Sequence, residues 1–238
     1  MNNNQRSNNF LKQVRCAVLD TSNSIRDPEI SKYMRQTTYN FLRNNYSHYR
    51  FKIYEENSVD KILLQIRKDI TSSYNQTTKN WQSKADLHKN KLYNKLTYNV
   101  VENTKKVFDS LHFEYQGFNI TDMWSNVLKP GETHRPHTHS NNILSGVFYV
   151  DAEQTSGIMF TDPRPQAGVI QPDVTKQFVD NANVIKYDSS TNRMILFPSW
   201  LQHYVPINET DKNRISIAFN VMLKGKVGSS EEYQSAEY

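Results

Sequence analysis

All seven glycines and seven of the eight prolines of this 238-residue chain lie beyond Phe113. Both residues punctuate turns and are disfavoured inside helices, so their segregation divides the chain into two grammars. From Phe10 to His112 only Pro28 interrupts apolar residues that recur at helical intervals. Ile62, Leu63, Ile66 and Ile70 share one helical face, and Leu92, Leu96, Val100, Val101 and Val107 form a second apolar stripe. Residues 20–24 and 72–78 are rich in caps and turn formers, and 49–54 is the one early strand candidate. Beyond Phe113, turn residues separate short β-rich runs. The predicted strands lie near 118–127, 137–139, 145–150, 157–161, 184–187, 194–197, 203–207 and 215–223. About eight such strands suit a double-stranded β-helix, a jelly roll. The expected fold class is therefore α+β, with N-terminal helices packed on a jelly-roll core. Residues 1–112 make the helical region, 113–226 the core, and the polar stretch 227–238 a flexible tail.

Charge and cysteine content limit the function classes. No apolar run approaches the roughly 18 to 20 residues of a membrane span. The Asn-rich start does not resemble a signal peptide, which points to the cytoplasm. One cysteine, Cys16, excludes an internal disulfide and leaves His, Asp or Glu to bind any metal. The net charge of +5 hides an asymmetry: residues 1–110 carry 19 basic and 10 acidic side chains, the remainder 10 and 14. The first half could meet an anionic partner such as nucleic acid, although lysines scattered along helices more often form a solvated face.

Three of the seven histidines fall in His134-Arg-Pro-His137-Thr-His139. Alternate residues of a strand point to one side, so His137 and His139 can grip one ion together. His134 sits at the mouth of the barrel without being compelled to bind. Downstream, an apolar strand and a proline-marked bend lead to His203, placed to complete the set. Arg214-Ile-Ser-Ile-Ala-Phe-Asn-Val then alternates, putting Arg214, Ser216, Ala218 and Asn220 on one face and Ile215, Ile217, Phe219 and Val221 on the other. The second set packs against helices, which turns a polar face inward. An inward guanidinium needs an anion. 2-Oxoglutarate supplies one: its keto-acid end chelates a metal while its far carboxylate takes charge-assisted bonds from Arg214 and Ser216.

These residues resemble the His-x-Asp/Glu, His, Arg-x-Ser pattern of the 2-oxoglutarate/iron(II) oxygenases, and Pro136-His137-Thr138-His139 looks like the Pro-His-Thr-Asp of the prolyl 4-hydroxylases. More narrowly, Trp124-Ser-Asn126-Val, His137-Thr-His139, Leu144-Ser-Gly-Val-Phe-Tyr149, Phe160-Thr-Asp-Pro-Arg164, Leu196-Phe-Pro-Ser-Trp-Leu-Gln-His203 and Arg214-Ile-Ser-Ile-Ala-Phe-Asn220 look like a family of such oxygenases common in marine bacteria and phages. Trp81-Gln-Ser-Lys-Ala-Asp-Leu87 is similar too. The resemblance covers about residues 80–225 and implies iron(II), with 2-oxoglutarate and O2 as co-substrates. It also implies a cytoplasmic setting, that of the host for a phage protein. Asn126 and Tyr149 occupy motif positions suited to hydrogen bonds with the co-substrate. Arg164 and Trp200 are rim candidates, although Trp124, Trp200 and Phe160 are more often barrel core than substrate platform. His139 stands where the wider superfamily has Asp or Glu, which leaves the site one unit more positive. The substrate remains open among protein side chains, nucleic acid and small molecules. A cupin-like three-histidine metalloenzyme and a non-catalytic phage protein with an inherited barrel are the competing readings.

Overall fold

A computed structural model describes residues 19–20, 56–163, 169–176, 182–231 and 233–238. The early strand candidate at 49–54 and the rim candidate Arg164 lie outside the described residues. Among the described residues there are two α-helices: α1 spans Glu56–Ser73 and α2 spans Asn94–Ser110. Near the end of α1 the hydroxyls of Thr71 and Ser72 bond back to the carbonyls of Arg67 and Asp69, a local alternative to continuing the helix. At the end of α2, His112 adopts φ 53°. The Phe113 N–H then reaches the Phe108 carbonyl at 3.0 Å and the His112 N–H reaches Asp109 at 3.1 Å. This is a Schellman cap, and the Phe108 and Phe113 rings close it with centroids 5.7 Å apart.

The strands are β1 (Leu19–Asp20), β2 (Trp81–Gln82), β3 (Gly117–Leu128), β4 (His134–His137), β5 (Leu144–Asp151) and β6 (Ile158–Thr161). They continue as β7 (Val184–Tyr187), β8 (Met194–Pro198), β9 (His203–Val205), β10 (Arg214–Lys224), β11 (Lys226–Ser229) and β12 (Gln234–Glu237). The larger sheet runs β1-β8-β5-β10-β3-β2 and the smaller β4-β9-β6-β7. All pairings between these strands are antiparallel. This is the jelly-roll arrangement the strand count predicts.

Two cores hold the layers. On one face of the larger sheet, Ile215, Ile217, Phe219 and Val221 of β10 pack with Ile66 and Ile70 of α1 and Leu96, Val100 and Val107 of α2. Between the sheets, Val147, Tyr149, Ile195 and Phe197 meet Ile158 and Phe160. The alternation on β10 thus buries its apolar set against the helices, and the polar set faces the barrel. A closer fit is needed at Gly146, where an added Cβ would overlap the Phe219 ring lying across it. An ion pair between Arg67 and Asp151 ties α1 to the end of β5.

The structure departs from the sequence reading at β1, a strand inside the stretch read as helical, and in three further places. The predicted strand 137–139 is displaced: β4 ends at His137, and its register against β9 shifts between His134 and His137. Pro136 in that interval has no N–H for the ladder, and His139 instead donates its backbone N–H to Ser199 at 2.9 Å. The strand β2 pairs Trp81 and Gln82 with Val127 and Asn126, too short a run to show a period. The C-terminal stretch, given no element from sequence, pairs as the hairpin β11–β12, whose largely exposed residues lack apolar alternation.

Candidate metal centre

The register change in β4 decides the geometry of the site. His137 pairs with His203 across β4 and β9, and the following loop brings His139 to the same place. Side-chain nitrogens of His137, His139 and His203 all lie within 4.8 Å of one another. The Nε2 atoms of His139 and His203 are 3.3 Å apart. Two nitrogens bound about 2.1 Å from one ion sit roughly 3.0 to 3.4 Å apart, so that pair already has a ligand spacing.

Backbone carbonyls set the ring orientations. The Nδ1–H of His137 can donate to the Arg135 carbonyl at 2.7 Å and that of His203 to the Leu201 carbonyl at 2.9 Å. Either bond places the proton on Nδ1 and leaves the Nε2 lone pair for a metal. The set is graded in exposure, with His137 exposed, His139 half-buried and His203 buried. Burial pushes the His203 imidazole down to about 3, and burial with the nearby His137 pushes His139 down to about 4, against a raising influence from Asp122. Rings that resist protonation stay available as ligands.

These shifts have a stability consequence. The folded pKa values lie below the ordinary 6.5, so between pH 6.5 and the folded values the unfolded chain binds protons that the folded chain does not. Stability of the metal-free protein is therefore present above pH 6.5 and lost as the pH falls. His203 alone should account for a loss of about 2 kcal/mol between pH 7 and pH 5. Denaturant titrations at those two pH values check this, and equal stabilities would contradict the neutral buried ring.

Across the barrel, polar residues of the larger sheet form a second cluster. Arg214 is only 2% exposed. Its Nε donates to the Ser156 carbonyl at 2.9 Å and its Nη1 to the Ser216 hydroxyl at 3.1 Å, while the guanidinium lies 4.9 Å from the centre of the Tyr149 ring. Among the described residues no carboxylate forms an ion pair with it. A buried guanidinium with spare donors and no ion-pair partner among the described residues is chemically suited to receive an anion. Ser216 pairs with Asn126 on one side and Tyr149 on the other, so these three share a row. The Asn126 Oδ1 accepts from Gln82 Nε2 at 2.8 Å and from Trp124 Nε1 at 3.1 Å, which fixes the amide and directs its Nδ2 donors elsewhere.

The remaining candidates separate by exposure. Phe160 is core, packed 5.9 Å from the His203 ring, and Phe197 lies 4.6 Å from that ring on another side. Trp124 flanks His139 at 5.9 Å. Trp200 is 50% exposed, which places it at the rim and not in the core. His134 enters beside Val205 with its Nε2 sealed from solvent. Sequence reasoning passed over Asp122, Gln82 and the Ser145 hydroxyl, which bonds Ser199 and Asn220, each at 2.8 Å. Gln82 stands inside a quoted motif, whereas the orienting carbonyls of Arg135 and Leu201 leave no trace in side-chain identity.

Comparison with known proteins matches residues 122–220 to a family described as "Putative 2OG-Fe(II) oxygenase". No curated protein matches the chain. Among solved structures, the non-heme α-ketoglutarate-dependent carbocyclase SnoK from nogalamycin biosynthesis aligns with 8% identity and a TM-score of 0.52, covering 74% of this chain and 78% of that one. A Pseudomonas putida prolyl-4-hydroxylase aligns with 10% identity and a TM-score of 0.49, over 69% and 88% of the two chains. A 2OG-Fe(II) oxygenase family oxidoreductase from Burkholderia pseudomallei aligns with 11% identity and a TM-score of 0.37 over 49% of this chain, which spans about half of that relative, 50%. The SnoK likeness supports the double-stranded β-helix fold.

Proposed function

We propose that residues 122–220, which match the family described as "Putative 2OG-Fe(II) oxygenase", form a 2-oxoglutarate/iron(II) oxygenase domain in which His137, His139 and His203 hold the iron while Arg214 and Ser216 hold the far carboxylate of 2-oxoglutarate. The observation that carries this reading is the pairing of a converged three-imidazole set with a buried guanidinium that lacks a carboxylate partner among the described residues. Three nitrogen donors with open positions suit a divalent first-row ion that must also accept a chelating keto acid. The Arg214 cradle favours this over a cupin-like enzyme without 2-oxoglutarate, which has no need of a carboxylate anchor.

Each residue has a task in this scheme. The carbonyls of Arg135 and Leu201 keep the Nε2 lone pairs of His137 and His203 aimed at the ion. The Tyr149 ring face supports the Arg214 guanidinium, and Asn126, its oxygen already engaged, offers amide donors to the co-substrate. Phe160 and Phe197 wall off His203 and keep water from that side. The exposed edge at His137 and Trp200 is the side from which the substrate approaches. Bound iron(II) and 2-oxoglutarate supply an oxidative decarboxylation in which one O2 atom enters succinate and the other a substrate C–H bond. The proposed product is therefore an alcohol.

The division of the chain into helical support (1–112), catalytic core (113–226) and tail belongs to the same proposal. So does a cytoplasmic setting, bacterial or phage-infected host, which the single cysteine favours. Among the described residues no helix is long and apolar enough to cross a membrane. Much of the basic first half lies outside the described residues. Anaerobic addition of 2-oxoglutarate to iron(II)-loaded protein should raise a visible metal-to-ligand charge-transfer band. A protein that binds iron yet shows no band would remove 2-oxoglutarate from the scheme.

A further inference from the structure

We propose that His134 is a second anchor for the co-substrate, its Nε2–H donating to the same distal carboxylate that Arg214 and Ser216 grip. The inference rests on the 2-oxoglutarate reading and adds a residue to it. Three observations place the ring there. First, His134 is paired with Val205, two residues along β9 from His203, so its side chain enters the barrel on the face that carries the iron ligands. Second, its Nε2 is buried and has no hydrogen-bond partner among the described residues. A sealed polar atom without a partner is unfavourable, so this position is suited to a ligand that satisfies it. Third, the ring feels Arg214: burial first, and the guanidinium charge second, push the imidazole down to about 4. His134 also acts on His203.

The chemistry follows from that setting. A neutral imidazole offers one N–H donor and no charge, so it adds a directional bond to a carboxylate whose charge Arg214 already balances. Ligation of the metal is a different task, and His134 is not among the three histidines whose nitrogens converge. The ring is a binding residue for the distal carboxylate and leaves the keto-acid end untouched.

The test uses iron(II)-loaded protein under anaerobic conditions with two probes, 2-oxoglutarate and 2-oxopentanoate, the latter ending in a methyl where the former has its distal carboxylate. His134→Phe should weaken 2-oxoglutarate binding about tenfold and leave 2-oxopentanoate and iron affinity within about twofold. His134→Gln, whose amide nitrogen can stand in for Nε2, should restore 2-oxoglutarate affinity to within about threefold of the parent. Equal weakening of both probes in His134→Phe would mean a packing role only, and loss of iron would mean a ligand role; either overturns the proposal. Undiminished preference for 2-oxoglutarate in His134→Phe overturns it while leaving the Arg214 reading standing. A parent protein that does not distinguish the two probes overturns the Arg214 reading, and this one with it.

Discussion

Iron(II) affinity should fall by more than about 100-fold in His203→Ala, and the charge-transfer band with 2-oxoglutarate should vanish. Losing a group that only orients a ligand costs about 10- to 100-fold, so loss of the ligand itself should exceed that range. His203 is the centre of the set, 3.3 Å from the His139 nitrogen and 4.4 Å, ring to ring, from His137. The ring is also packed by Phe197 and Phe160, so alanine leaves a void. His203→Gln keeps most of the volume and separates packing from ligation. Dialysis equilibrium with iron(II), read alongside the thermal midpoint of each metal-free variant, checks the expectation. Parental iron affinity in a folded His203→Ala protein would exclude His203 as a ligand.

Arg214→Met should weaken 2-oxoglutarate binding about 100- to 1000-fold while iron binding is retained, because the variant removes the one buried cation from the cradle. Stability should move the other way. The ligand-free protein carries a buried guanidinium with no carboxylate partner among its described residues, and an apolar side chain of similar volume relieves that penalty. The thermal midpoint without ligand should therefore be equal to or above the parent's. Arg214→Lys should not rescue binding well, since the bonds to Ser156 and Ser216 use the planar fork that an ammonium lacks. Unchanged 2-oxoglutarate affinity in Arg214→Met, measured by titration of the iron-loaded protein, would exclude the assigned role.

Much of this is legible in the sequence, for reasons that differ by residue. Long strands announce themselves through alternation: residues 214–221 predicted both faces of β10, and Ile215, Ile217, Phe219 and Val221 are packed with the helices as expected. The helical stripe through Ile66 and Ile70 was equally plain. What sequence misstated was how His139 reaches the site. A strand with period two would deliver it, but Pro136 and the shifted register end β4 at His137, and a loop anchored on Ser199 does the work. Trp200 was ambiguous because a tryptophan after a proline bend reads alike in a core and on a rim. The bonds from Gln82 to Asn126 and from Ser145 to Asn220 join residues 44 and 75 positions apart, a separation at which no local pattern survives.

The proposed iron ligands are carried by β4, β9 and the loop after β4, whereas Arg214, Ser216, Asn126 and Tyr149 belong to the larger sheet. A molecule bound at one end to the histidines and at the other to Arg214 is thus a strut between two leaves of the sandwich. Its length acts as a gauge of their spacing: a dicarboxylate one methylene shorter or longer would have to draw the leaves together or push them apart. Amide hydrogen exchange in β4 and β9 should accordingly slow when the strut is in place, linking co-substrate selection by size to the breathing of the barrel.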